Sequence, residues 1–116
     1  MNVFGDYIRE KREQRATQEK EFSLRQVAFR LEVQPSYLSK IERGLENPSE
    51  EMVLKLAHIF EENEDVLLAM AGKVSTRLQK IIIKNPSAFA KLISSLEDCP
   101  EHAILRVVRE VKDGNW

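Results

Sequence analysis

The sequence has one cysteine, Cys99, in 116 residues. An internal disulfide framework is excluded, and the usage fits a reducing cytoplasm. Glycine and proline number only four each, which excludes collagen-like and low-complexity chains. Long apolar runs are missing too. Val66–Gly72, seven residues, is as long as any stretch free of charge. A membrane-spanning helix needs about 20 apolar residues, so no membrane association is expected. Asp6, Arg9 and Glu10 follow Met1 at once, so no signal peptide is expected. Alternating β-branched residues are almost absent, which leaves little for a sheet. Nor is there a surplus of one charge. Lys plus Arg is 18 and Asp plus Glu is 19, a net of −1. Nucleic-acid-binding domains are usually basic, and the total counts against one.

What is present is an all-α pattern. Apolar residues make up 42% of the chain and charged residues 32%, enough for one modest core and too apolar for disorder. The glycines and prolines read as punctuation. Gly44, Gly72 and Gly114 each follow an apolar-periodic run, as glycines just past a helix end do. Pro35, Pro48, Pro86 and Pro100 each stand before or at the start of one.

A first helix is expected over about 2–15, with Phe4, Tyr7 and Ile8 inward. Residues 16–22 read as a polar, charged connection. A second helix, about 23–31, opens on a capping-box pattern, Ser23 with Gln26. It buries Leu24, Val27, Ala28 and Leu31, at spacings 0, 3, 4 and 7. A third, about 35–43, points Tyr37, Leu38 and Ile41 inward. A fourth follows Asn47-Pro48-Ser49, with Met52, Val53, Leu56, Ala57 and Phe60 as its core face. A short fifth, capped by Asn63, ends before Gly72. Residues 1–72 thus form a first domain of five helices. Residues 73–116 form a helical segment of three more. The balance shifts between them: residues 1–71 carry 10 basic and 14 acidic side chains, residues 72–116 carry 8 and 5.

The most specific stretch runs from Ser23 to Gly44. It holds Ala28 and Val33, then Tyr37-Leu-Ser-Lys-Ile-Glu-Arg-Gly44, with Asn47-Pro48-Ser49 opening the next helix. On these residues the sequence resembles the Cro/repressor-type (Xre) helix-turn-helix family over about 4–71. The resemblance implies a five-helix repressor-like domain whose third helix enters the major groove of double-stranded DNA. Gln34, Pro35, Ser36, Ser39 and Lys40 match positions that reach base edges. Ser23 and Arg25, at the start of the second helix, and Arg43, at the end of the third, match phosphate contacts. Glu42 matches an acid that pairs with an arginine of the first helix, here Arg12, as a structural salt bridge. Two departures stand out. The family's usual turn glycine is replaced by Glu32. The connection Gln14–Phe22 is long, and its Arg15 and Lys20 read either as phosphate contacts or as part of a solvated loop.

The residues themselves agree with the resemblance. Ala28 is small enough for two helices to approach closely. Val33 plugs the turn. Gln34, Ser36, Ser39, Lys40 and Arg43 form a polar, donor-rich outer face. Such a face alone more often only meets solvent.

No enzyme is expected. No nucleophile, phosphate loop or paired-acid set is present. Cys99 and His102 are too few for zinc, so no metal and no cofactor is expected. His58 reads as a partly buried structural histidine.

The segment 73–116 is too short to enclose a core. Leu92, Ile93 and Leu96, with Ile104, Leu105, Val108 and Val111, are expected to mediate dimerisation. Packing within a monomer is the other reading. Function then reads as a cytoplasmic transcription regulator, a homodimeric repressor. An antitoxin, or a regulator whose C-terminal helices bind a protein partner, is the alternative.

Overall fold

The structure, a computed structural model, describes residues 2–116. Among them are eight α-helices and no strand. They are α1 Val3–Ala16, α2 Leu24–Arg30, α3 Pro35–Glu42, α4 Glu50–Phe60, α5 Glu64–Met70, α6 Thr76–Lys84, α7 Pro86–Ser95 and α8 Glu101–Asp113, with a 3₁₀ turn at Lys20–Phe22. Two compact units divide at Leu78/Gln79.

The first unit holds the core. Phe4, Ile8, Val27, Ala28, Leu31, Leu38, Ile41, Val53, Leu56, Ala57, Ile59, Phe60, Leu67 and Leu68 are all buried. Leu24, Tyr37 and Met52 are half-buried against them. The apolar spacing of each helix sets which side turns inward. Phe22 belongs to this core at 4% exposure, so the expected polar connection is anchored by an apolar residue. The 3₁₀ turn points its ring inward. It packs on Phe60 at 5.6 Å and under the Arg15 guanidinium at 3.8 Å. Arg15 also pairs with Glu19 at 3.0 Å. Tyr7 donates to Glu62 at 2.8 Å, fastening α1 to the chain between α4 and α5. That bond holds the Tyr7 hydroxyl above its ordinary pKa.

Helix starts follow the sequence closely. Ser23, Ser49 and Asn63 each accept a first-turn amide hydrogen bond, at 3.2, 3.1 and 3.0 Å. Such caps satisfy amides that have no partner within the helix. No returning bond from the Gln26 side chain accompanies the Ser23 cap among the described residues.

Helix ends are less orthodox. Each of α2, α3, α4 and α5 ends in a Schellman motif, with a left-handed residue just past its last turn. Gly44 and Gly72 fill two of these positions, at φ 77° and 75°. Glu32 and Glu61 fill the others, at φ 60° and 54°. A side chain there costs on the order of 1 kcal/mol. Glu32→Gly is therefore expected to raise unfolding stability by about 1 kcal/mol. Urea denaturation should show a higher midpoint with an unchanged slope. A lower midpoint would mean the glutamate side chain stabilises the turn.

Three expectations need correction. Gly114 is extended, with φ −69°, and is no left-handed stop. Gly5 is not punctuation but lies buried inside α1. A Cβ there would sit 2.6 Å from the carbonyl oxygens of Ile41 and Glu42, so α1 meets the end of α3 backbone to backbone. His58 is exposed rather than partly buried, because it lies off the apolar stripe of α4.

The first unit also extends past Gly72. Ser75 is 7% exposed and accepts the Leu78 amide at 3.1 Å. Thr76 donates its amide and its hydroxyl to Glu50, at 3.2 and 3.3 Å. Arg77 donates to Asp65 at 2.5 Å. Hydrogen bonds from Arg77 and then Ser75 hold the Asp65 carboxyl below its ordinary pKa.

The second unit contains α7 and α8, which bury no residue. Leu92, Ile93, Leu105, Val108 and Val111 are exposed. Leu96 and Ile104 are half-buried. Trp116 donates its indole N–H to the Val111 carbonyl at 3.0 Å.

Candidate nucleic-acid interface

Two short helices and a tight turn make the candidate reader. α2 buries Val27 and Ala28, and α3 buries Leu38 and Ile41. Between them the chain reverses in four residues. The Glu32 amide donates to Phe29 O and the Val33 amide to Ala28 O, both at 3.0 Å. The left-handed Glu32 makes this reversal possible, and Val33 fills it, half-buried. Gln34 then stands at the N-cap of α3 in extended conformation. Its carbonyl accepts from Tyr37 and Leu38, at 3.0 and 3.3 Å. Its side chain makes no capping bond and is exposed. Pro35 opens the helix, where a missing amide hydrogen costs nothing.

The outer face of α3 follows from helical spacing. Ser36, Lys40 and Arg43 are exposed at i, i+4 and i+7. Ser39 is half-buried, and its Oγ accepts from Arg43 Nε at 3.3 Å. That bond steadies Arg43 at the end of the helix. Arg25 is exposed in the first turn of α2, beside the Ser23 cap. Among the described residues, Arg25 and Lys40 have no carboxylate partner, so both cations are available to an external anion.

The other end of α3 is fixed from inside. Arg12 and Glu42 are 9% and 4% exposed. They pair through two bonds, Nε to Oε2 at 2.7 Å and Nη2 to Oε1 at 3.0 Å. Arg12 Nη1 also donates to Phe22 O at 3.4 Å. The Asn2 amide donates to Glu42 O at 2.8 Å. One carboxylate thus ties α3 to α1 and, through Arg12, to the 3₁₀ turn. Glu42 is turned away from the face that carries Lys40.

Sequence reasoning missed one neighbour of this face. Phe29 is 77% exposed. With Val33, Tyr37 and Met52 it lines an open, largely apolar groove of about 1010 Å³ that reaches Gln34. The signal was there: Phe29 is apolar but lies off the 24/27/28/31 stripe of α2.

The dimerisation candidates do not share this unit. All seven lie in α7, α8 and the end of α7, beyond Leu78.

A helix-turn-helix family model matches residues 8–67. Those residues take in α1 to α4, most of α5 and the whole of the face just described. Compared with curated proteins and with solved structures, the chain shows no match.

Proposed function

The chain belongs to the Cro/C1-type helix-turn-helix family of DNA-binding transcription regulators, and from that premise we propose that it is a dimeric repressor reading a palindromic operator through the major groove. One observation carries the reading. α3 is held rigidly by buried Leu38 and Ile41 and by the Arg12–Glu42 pair, while its other face offers only donors and one unpaired cation.

Lys40 donates to guanine O6 or N7, the commonest specific contact for a cation in the major groove. Gln34 and Ser36 read neighbouring edges, with Pro35 and Ser39 bordering them. Arg43 and Arg25 take phosphates on either side. The free amides of the first turn of α2, beside Ser23, add a third anion site. Dimerisation lies with Leu92, Ile93, Leu96, Ile104, Leu105, Val108 and Val111. Helices that bury nothing alone gain most from a partner. Two-fold symmetry would place two readers on half-sites about 34 Å apart.

The net charge of −1 fits a specific reader with weak non-specific affinity. Residues 23–44 carry Arg25, Arg30, Lys40 and Arg43 against Glu32 and Glu42. Glu42 is already neutralised by Arg12.

Selection of bound duplexes from a random DNA pool tests the proposal. The expected product is a palindrome of two short half-sites. A single non-repeated site would reject the dimer. Recovery of no sequence at all would reject operator reading and favour a regulator whose C-terminal helices bind another protein.

A further inference from the structure

The start of α6 is fastened far more heavily than a helix start requires. Ser75 alone would cap it. Yet three successive residues are tied to two other helices. Glu50, the first residue of α4, takes the amide and the hydroxyl of Thr76. Asp65, in the first turn of α5, takes Arg77 and Ser75. Ser75 is also the last buried residue of the chain among those described.

The place of this clasp gives it meaning. It follows Gly72, which is left-handed, with open space where a Cβ would be. Such a residue permits a swivel between domain and arm. The clasp closes that swivel within five residues. Beyond it the same helix continues into the segment that buries nothing.

Two linked DNA readers gain affinity only when both engage at once. The gain depends on how narrowly the link holds them at the required separation. A slack link dilutes the second reader and tolerates many half-site spacings. A stiff link favours one spacing.

We infer that Asp65, Thr76 and Arg77 are positioning residues for operator binding, rooting the C-terminal arm in the domain so that the dimer accepts one half-site spacing. The inference rests on the dimeric reading above. None of the three touches DNA. Each acts by fixing where the arm begins.

The test uses the full chain with Thr76→Val and Arg77→Ala together. Both residues are exposed, so the core is untouched. The probes are the selected palindrome, the same palindrome with its half-sites moved apart by two and by five base pairs, and a single half-site. Wild type should bind the native spacing best by at least tenfold. The variant should bind the single half-site as wild type does and sediment as the same dimer. It should bind the native palindrome about tenfold more weakly and discriminate little between spacings. A variant with Arg77→Lys should keep the wild-type preference.

Unchanged affinity and spacing preference in the double variant would overturn the inference. So would loss of the dimer, which would make the clasp part of the interface, or weaker half-site binding, which would make it part of the reader. If wild type itself binds two half-sites no better than one, the dimeric reading falls first and the clasp with it.

Discussion

Arg12→Ala is expected to lower the melting temperature by well over 10 °C. The substitution leaves Glu42 buried with no cation. Removing one partner of a buried pair costs about 3–5 kcal/mol, because the remaining charge keeps its desolvation penalty without its attraction. For a domain of this size each kcal/mol is worth roughly 4–8 °C. The bidentate geometry, with bonds of 2.7 and 3.0 Å, places the pair at the strong end of such interactions. Replacing both residues by apolar ones, Arg12→Met with Glu42→Leu, should cost much less, since no charge is then left alone. Base preference, measured well below the melting point, should not change in Arg12→Ala. Circular dichroism melting gives the first result and competition between duplexes the second. A melting temperature within a couple of degrees of wild type would show that Glu42 reaches water in the folded protein.

The second large effect is on DNA binding. Three anion sites per protomer, at Ser23, Arg25 and Arg43, become about six in a dimer. Counterion release then predicts a roughly 10³-fold loss of operator affinity between about 50 and 200 mM salt. A monomer with three sites would lose only about 40-fold. The slope therefore reports the number of protomers on DNA. Lys40→Ala should cost about 1–3 kcal/mol at the selected site and reduce discrimination between sites. Arg43→Ala should weaken all sites alike and make the salt slope shallower. Fluorescence anisotropy across a salt series measures both. If Lys40→Ala leaves site preference intact, α3 is not the reader.

Much of this architecture was legible in the sequence because it is local. Helix starts announce themselves within four residues, as Ser23, Ser49 and Asn63 do. Apolar spacing gave the inward faces of α2 to α4. What stayed hidden was long-range or purely backbone. Phe22 lies in a charged stretch, and only the 3₁₀ turn aims it at Phe60. Gly5 looks like a poor helix residue until α3 is set against it. Glu32 and Glu61 have no side-chain signature for a left-handed backbone. The Thr76–Glu50 and Arg77–Asp65 ties span 26 and 12 residues, and no periodicity marks them. At the candidate interface the exposed face of α3 was readable from i, i+4 and i+7 spacing. The Ser39–Arg43 bond and the Phe29 groove needed coordinates.

The four repeated helix stops bear on how fast the domain assembles. Each reverses the chain within a few residues, so α2 meets α3 and α4 meets α5 across very short loops. Short loops lose little entropy on closing, and domains dominated by neighbouring helical contacts fold in microseconds to milliseconds. The exception is the tie from Arg12 to Glu42, which closes 30 residues at once. That closure is the slowest contact the reader must make, so the pair that holds α3 in place is also a natural last step in forming it.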